Sequence, residues 1–235
     1  MSAKIIGYTQ PHEFDLPRAK QLDTLDNIIA YCARVSNPSN QNNTYTVDGL
    51  LKYLLKHSHF SPFEMVSVTM EVETTRDIAR QMLRHRSFSF QEFSQRYADP
   101  TKDLDFVIRE ARLQDAKNRQ NSIETDDDEL QRLWAAKQDQ IITIVKNHYN
   151  WAIASGIAKE QARVILPEGN IVSRLYVAGT IRSWIHYIQI RTDVSTQKEH
   201  RDLAEECAMA LLPIFSSIKT FTSEQEINYE KSHSS

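Results

Sequence analysis

The sequence is poor in glycine and nearly devoid of cysteine. Five Gly in 235 residues form no G-x-G-x-x-G and no Walker-type G-K-[ST], which argues against a glycine-rich phosphate loop. Any phosphate must then be held by side chains or bare helix ends. Two cysteines, Cys32 and Cys207, are too few for a disulfide framework or a cysteine-rich zinc site. No apolar run is long enough to cross a bilayer, and the N-terminus lacks a signal-peptide pattern, so a cytoplasmic protein is expected. A large excess of one charge is also missing. The net charge of -3 argues against broad, non-specific nucleic-acid binding, but says nothing about a local basic pocket.

What is present is an ordinary globular composition, 40% hydrophobic and 25% charged, which excludes collagen-like and disordered chains. Leu50, Leu51, Leu54 and Leu55 share one helical face, predicting a helix to about His57. Val66, Val68, Met70 and Val72 alternate with polar residues, as in a half-buried strand. Thr74 or Thr75 is placed to cap a helix running to about Arg84. Residues 87 to 100 show no period and read as a loop. A helix is expected from near Leu130 to Gly156, its acidic start favoured by the helix dipole. A short helix from Ala158 stops at Pro167, and Ile171 to Val177 reads as a strand. Thr180 is placed to cap a helix with Ile181, Trp184, Ile185 and Ile188 inward, leaving Arg182 and His186 on the opposite face. A last helix carries Leu203, Cys207 and Leu211. Without a convincing linker, residues 1–235 read as one α+β domain with a polar tail from about residue 226.

The chemistry concentrates after Thr75. Arg76, Arg80 and Arg84 recur every four residues, and His85 and Arg86 follow at once. For Arg76 and Arg80 a solvated basic face is the plainer explanation. It serves Arg84, His85 and Arg86 less well, because the next segment mixes aromatics, hydroxyls and a carboxylate in a loop costly to order. His57 and His59 alone, with no carboxylate or thiol cluster nearby, make a weak metal pair, and no metal is expected.

These residues resemble the flavin-dependent thymidylate synthases. The signature is Arg84-His85-Arg86, seven residues, then Ser94. Its flanks agree: Ala33-Arg34-Val35-Ser36, His57-x-His59-x-Ser61-Pro62-Phe63-Glu64, Gln81, Glu92, Arg96-Tyr97, Ala162-Arg163-x-x-Leu166-Pro167, Arg182-Ser183 and Arg191. The resemblance spans about Ala33 to Phe215. It implies helices packed around a small, mostly antiparallel sheet, and reductive methylation of dUMP to dTMP. Methylenetetrahydrofolate would give the carbon, and FAD, reduced by NADPH, the hydride. It places Ser36, His59, Ser61, Glu64, Arg84, His85, Arg86, Glu92, Arg182 and His186 at FAD. Gln81, Arg84, Glu92, Phe93, Ser94, Gln95, Arg96, Arg163 and Arg191 fall at dUMP. Arginine suits such ligands, because its planar fork makes paired charge-assisted bonds to phosphate. Arg191 matches the cation beside the pyrimidine N3, and Ser94 a serine once regarded as a nucleophile; with no base evident, a positioning role suits it better. The resemblance further implies a homotetramer whose sites draw on several chains, with small-molecule partners only, neither nucleic acid nor membrane.

The chain departs from the family pattern at Met65 and Thr180, and Gln91 replaces a common Asn. Thr196-Gln197-Lys198-Glu199-His200-Arg201 stands where Ala-Gln-x-Glu-Ile-Arg is usual. Two other classes compete: a nucleotide-binding protein that has lost turnover, and a nucleic-acid module using Arg80, Arg84, Arg86 and Arg96.

Overall fold

The computed structural model describes residues 1–12 and 22–219. Strand β1 (Ser2–Tyr8) leads to helices α1 (Leu25–Ala33) and α2 (Val47–Lys56), then β2 (Ser67–Thr75), α3 (Arg76–Met82) and β3 (Ser89–Glu92). A short α4 (Pro100–Asp103) and the hairpin β4 (Arg112–Gln114) and β5 (Ser122–Glu124) precede the long α5 (Asp128–Ala154). The chain closes with α6 (Lys159–Ala162), β6 (Val172–Thr180), α7 (Ile181–Arg191) and α8 (Lys198–Leu211). The expected α+β class is correct. One four-stranded sheet, ordered β1-β2-β6-β3, is antiparallel throughout.

Period-two patterning builds the sheet's inner face. Val68, Met70 and Val72 of β2 are buried beside Leu175 and Val177 of β6. Helix α7 lies against that face, with Trp184, Ile185 and Ile188 buried as their spacing predicts, and the Trp184 indole N–H donates to the Val68 carbonyl at 3.2 Å. Thr180 caps α7 by accepting the Ser183 N–H. Leu203, Cys207 and Leu211 of α8 join the same core. A second cluster, Tyr149, Ala152, Ala162, Leu166 and Ile171, packs the end of α5 against the segment before β6.

Three expectations need correction. Residues 87 to 100 are not all loop: Ser89 to Glu92 pair with β6. Thr75 sits at the start of α3 without capping it; its hydroxyl donates to Asp77 at 2.6 Å and accepts from Arg109. Arg76 is not a solvated residue, because its side chain is only 11% exposed. The spacing predicts neither β1 nor α1. The polar tail expected from about residue 226 lies outside the described residues.

Candidate active site

Helix α3 leaves the end of β2 and points its arginines at the end of β3. Arg76 and Arg80 reach the Glu92 carboxylate at 3.4 and 3.2 Å, and the Ser173 hydroxyl donates to it at 2.9 Å. Glu168 lies 3.6 Å from Arg76. Burial lowers the Arg76 pKa from the usual guanidinium range; Glu92 and Glu168 oppose that, while Arg80 and Arg163 add to it. Arg163 therefore belongs to the same cluster. Glu92, expected at the ligand, is engaged by two arginines and a serine, an arrangement that ties α3 to the sheet.

Past Glu92 the chain turns. Tyr97 and Ala98 donate their N–H groups to the Ser94 carbonyl, so Phe93 to Arg96 form a tight bend held by Phe93 N–H on the Arg174 carbonyl of β6. Ser94 Oγ accepts the Arg96 N–H at 3.4 Å, and no basic side chain bonds it among the described residues. Gln95 is buried, and its Nε2 has no protein partner among the described residues. Arg96 pairs with Glu160 at 3.4 Å, both more than half exposed. Such an exposed pair contributes about 0–1 kcal/mol.

The turn after α3 separates its three residues. Arg84 and Arg86 face solvent, while His85 turns inward onto Tyr187, ring centroids 5.0 Å apart. Arg191, the last residue of α7, donates from Nε to His85 Nε2 at 2.9 Å. That bond needs a lone pair on Nε2, so the imidazole proton sits on Nδ1. Burial, Arg191 and His186, in that order, lower the His85 pKa to about 4. A neutral ring thus steadies a guanidinium without competing for its charge.

On the outer face of α7, Arg182 pairs with Glu64. Glu64, Arg182 and His186 line a cavity of about 330 Å³ with Phe60, Ser87 and Gln189. Ser36 lies elsewhere, in a groove of about 510 Å³ with Arg34, Asn37 and Tyr53. His59 and Ser61 are exposed, His59 near the rings of Tyr53 and His57. One chain therefore gathers the expected residues into separate groups. A further cavity, about 690 Å³ beside Glu73, Arg109 and Lys198, contains none of them.

Neither cysteine is a ready nucleophile. Burial pushes both thiols up, Cys207 far up inside the core and Cys32 where it is half buried; a thiol rather than a thiolate is a poor attacker.

Sequence spacing misses one set of residues near this site. Gln197, Glu199 and His200 of the α7–α8 junction contact Gln81 directly or through one another. Their only signal is the break in the family pattern at Thr196 to Arg201.

Fold and site together define a class: an α+β protein that displays arginines around one antiparallel sheet, with no activated thiol. Comparison with known proteins narrows this. The family described as "Thymidylate synthase complementing protein" matches residues 20–215. A probable flavin-dependent thymidylate synthase of Paramecium bursaria Chlorella virus 1 is 48% identical over 218 residues, covering 93% of this chain and 97% of its own. The flavin-dependent thymidylate synthase of Synechocystis sp. is 53% identical over 181 residues, 76% of this chain and 80% of its own. Among solved structures, a UMP/dUMP methylase, PolB from Streptomyces cacaoi bound with 5-Br dUMP, superposes with a TM-score of 0.74 at 24% identity, over 94% of both chains. This chain belongs to the flavin-dependent thymidylate synthase family, a family of enzymes.

Proposed function

We propose that this protein makes dTMP from dUMP, taking one carbon from methylenetetrahydrofolate and two electrons from NADPH through FAD. One observation carries the reading most directly: Arg191 is held by a neutral His85 beside a turn that displays Arg84 and Arg86. A fixed cation beside the pyrimidine N3 stabilises the deprotonated, electron-rich ring, so C5 becomes nucleophilic without a thiolate on C6. The raised pKa values of both cysteines support that route.

In this reading Arg96 and Arg163 hold the 5'-phosphate. The bend from Phe93 to Gln95 offers amide donors, and Ser94 positions rather than attacks. Gln81 and Arg84 meet the base. Arg84, His85, Arg86, Glu92, Arg182, His186, Glu64, Ser36, His59 and Ser61 serve FAD, which when bound supplies hydride. The residues present fit part of that cofactor. The cavity beside Arg182 offers a carboxylate, a guanidinium and an imidazole, but about 330 Å³ is at the small end of small-molecule pockets, and a dinucleotide overruns it. Ser36 in a separate groove leads to the same conclusion: the site is completed by further copies, as in a homotetramer. No described helix is long and apolar enough to cross a membrane, and a cytoplasmic setting matches the substrates.

Purified protein should be yellow and should convert dUMP to dTMP with methylenetetrahydrofolate and NADPH. A protein that binds dUMP without forming product would support the non-catalytic alternative instead. Steeply salt-dependent binding to DNA or RNA would point to a nucleic-acid module.

A further inference from the structure

A polar chain runs from α8 back to α3, and its direction is fixed from one end. Glu199 is buried, yet its carboxyl stays ionised. Burial pushes its pKa up, but its own backbone N–H, Gln197 and Arg112 outweigh that and hold it low. Arg112 donates to one carboxylate oxygen at 2.5 Å, Gln197 Nε2 to the other at 2.9 Å. An ionised carboxylate only accepts, so the Gln197 amide cannot be flipped. Its Oε1 must then accept, and it does so from Gln81 Nε2 at 2.8 Å. Gln81 Oε1 must accept in turn, and its neighbour at 3.1 Å is His200 Nδ1.

The same bonds set the histidine tautomer. His200 is fully buried, and burial, then Arg191 and His85, lower its pKa to about 3. The neutral ring has one proton, and the chain of acceptors requires it on Nδ1. His200 Nε2 is buried and has no hydrogen-bond partner among the described residues. With the proton on Nδ1, the orphan is a lone pair and not a stranded N–H, the rarer and costlier of the two.

We propose that His200 is a positioning residue whose Nδ1–H, together with Gln197, holds the Gln81 amide in one orientation and so fixes which end of that amide meets the pyrimidine. Gln81 keeps one N–H and one lone pair outside the network, and its side chain is half buried at the end of α3. Locked this way, the second N–H of Nε2 faces the ligand as a donor for a pyrimidine carbonyl. Without His200 the amide keeps only its bond to Gln197, its Oε1 loses its partner, and the second N–H is held less firmly toward that carbonyl. The assignment rests on the proposed reading of Gln81 as a dUMP contact.

The test compares wild type with His200→Ile, His200→Asn and Gln197→Met. Ile is the usual residue in the family pattern, so the first variant is expected to fold. Asn keeps an N–H donor at the position of Nδ1. His200→Ile and Gln197→Met should each weaken dUMP binding about threefold to tenfold, measured calorimetrically, with kcat at saturating dUMP little changed. His200→Asn should restore most of the affinity. A solid-state ¹⁵N spectrum of histidine-labelled protein, assigned by the signal lost in His200→Asn, should show His200 protonated at Nδ1. Unchanged dUMP affinity in both His200→Ile and Gln197→Met overturns the proposal, as does an Nε2–H tautomer. Wild type that fails to bind dUMP would instead overturn the functional reading, and the tautomer then decides the Gln81 orientation by itself.

Discussion

Two buried histidines and one arginine dominate the site at the scale of single residues. Arg191 meets His85 at 2.9 Å, and each of the two histidines is neutral because burial and nearby guanidinium charge leave no room for a second cation. In the proposed reading Arg191 supplies the fixed charge beside the pyrimidine, so Arg191→Ala should lower kcat by about a hundredfold or more, on the order of 3 kcal/mol. Steady-state assays at saturating dUMP check this, and near wild-type turnover would remove Arg191 from the mechanism. The same histidines set an acid limit. Their folded pKa values, about 4 for His85 and about 3 for His200, lie below the ordinary value of about 6.5. Between those limits the unfolded chain binds protons that the folded chain does not, so stability must fall as pH falls. The loss is on the order of 1 kcal/mol per pH unit for each histidine. Asp77 and Glu199, whose pKa values are lowered, add to the loss as pH falls through the ordinary carboxylate values of about 4, in the lower part of the same window. Urea midpoints at pH 6.5, 5.5 and 4.5 should decline steadily, and less steeply in His200→Ile. A flat profile would contradict the neutral, buried rings. The arginine-histidine-arginine motif was legible at this scale, but not that its middle residue turns inward while its neighbours face out. That inversion depends on Tyr187 and Arg191, about a hundred residues away in the chain.

Elements with a long period were legible; those made by pairing were not. The spacing of Ile181, Trp184, Ile185 and Ile188 places α7 and its buried face correctly, because an amphipathic helix carries its own signal. Strand β3 has four residues, Ser89 to Glu92, too few to display an alternation. It is a strand because β6 offers it a partner. The same pairing brings Glu92 within reach of α3, a contact no local pattern announces. Close approach between the turn and β6 gives this element its weak point. A Cβ on Gly179 would lie 2.3 Å from Phe88, and Phe88 is itself packed on Trp184 with centroids 4.5 Å apart. Gly179→Ala should therefore destabilise the protein by about 1–3 kcal/mol, read as a lowered thermal midpoint. The Ala variant melting like wild type would mean that Phe88 moves aside at no cost, and the turn before β3 would be looser than described.

Over the whole molecule, the site residues divide among several surfaces, and α5 carries an apolar stripe in the open. Leu133, Ile144 and Trp151 fall on one side of this helix, with Trp134 and Ile141 beside them, and all five are at least 44% exposed. Nothing in the local acidic start or the long period of α5 distinguishes this stripe from a core face until the fold shows which side is packed. We place this stripe between copies of the proposed homotetramer. Trp151→Glu should then reduce the particle mass seen by light scattering and lower activity in step, since the proposed site draws on more than one chain. An unchanged mass would place the contact elsewhere. The claim on which all scales depend is that guanidinium groups hold a pyrimidine monophosphate against the flavin. Titrating the purified yellow protein with dUMP while recording its visible absorption tests this most directly. The account predicts a saturable shift of the flavin band; dUMP that binds and leaves the band unmoved would contradict it.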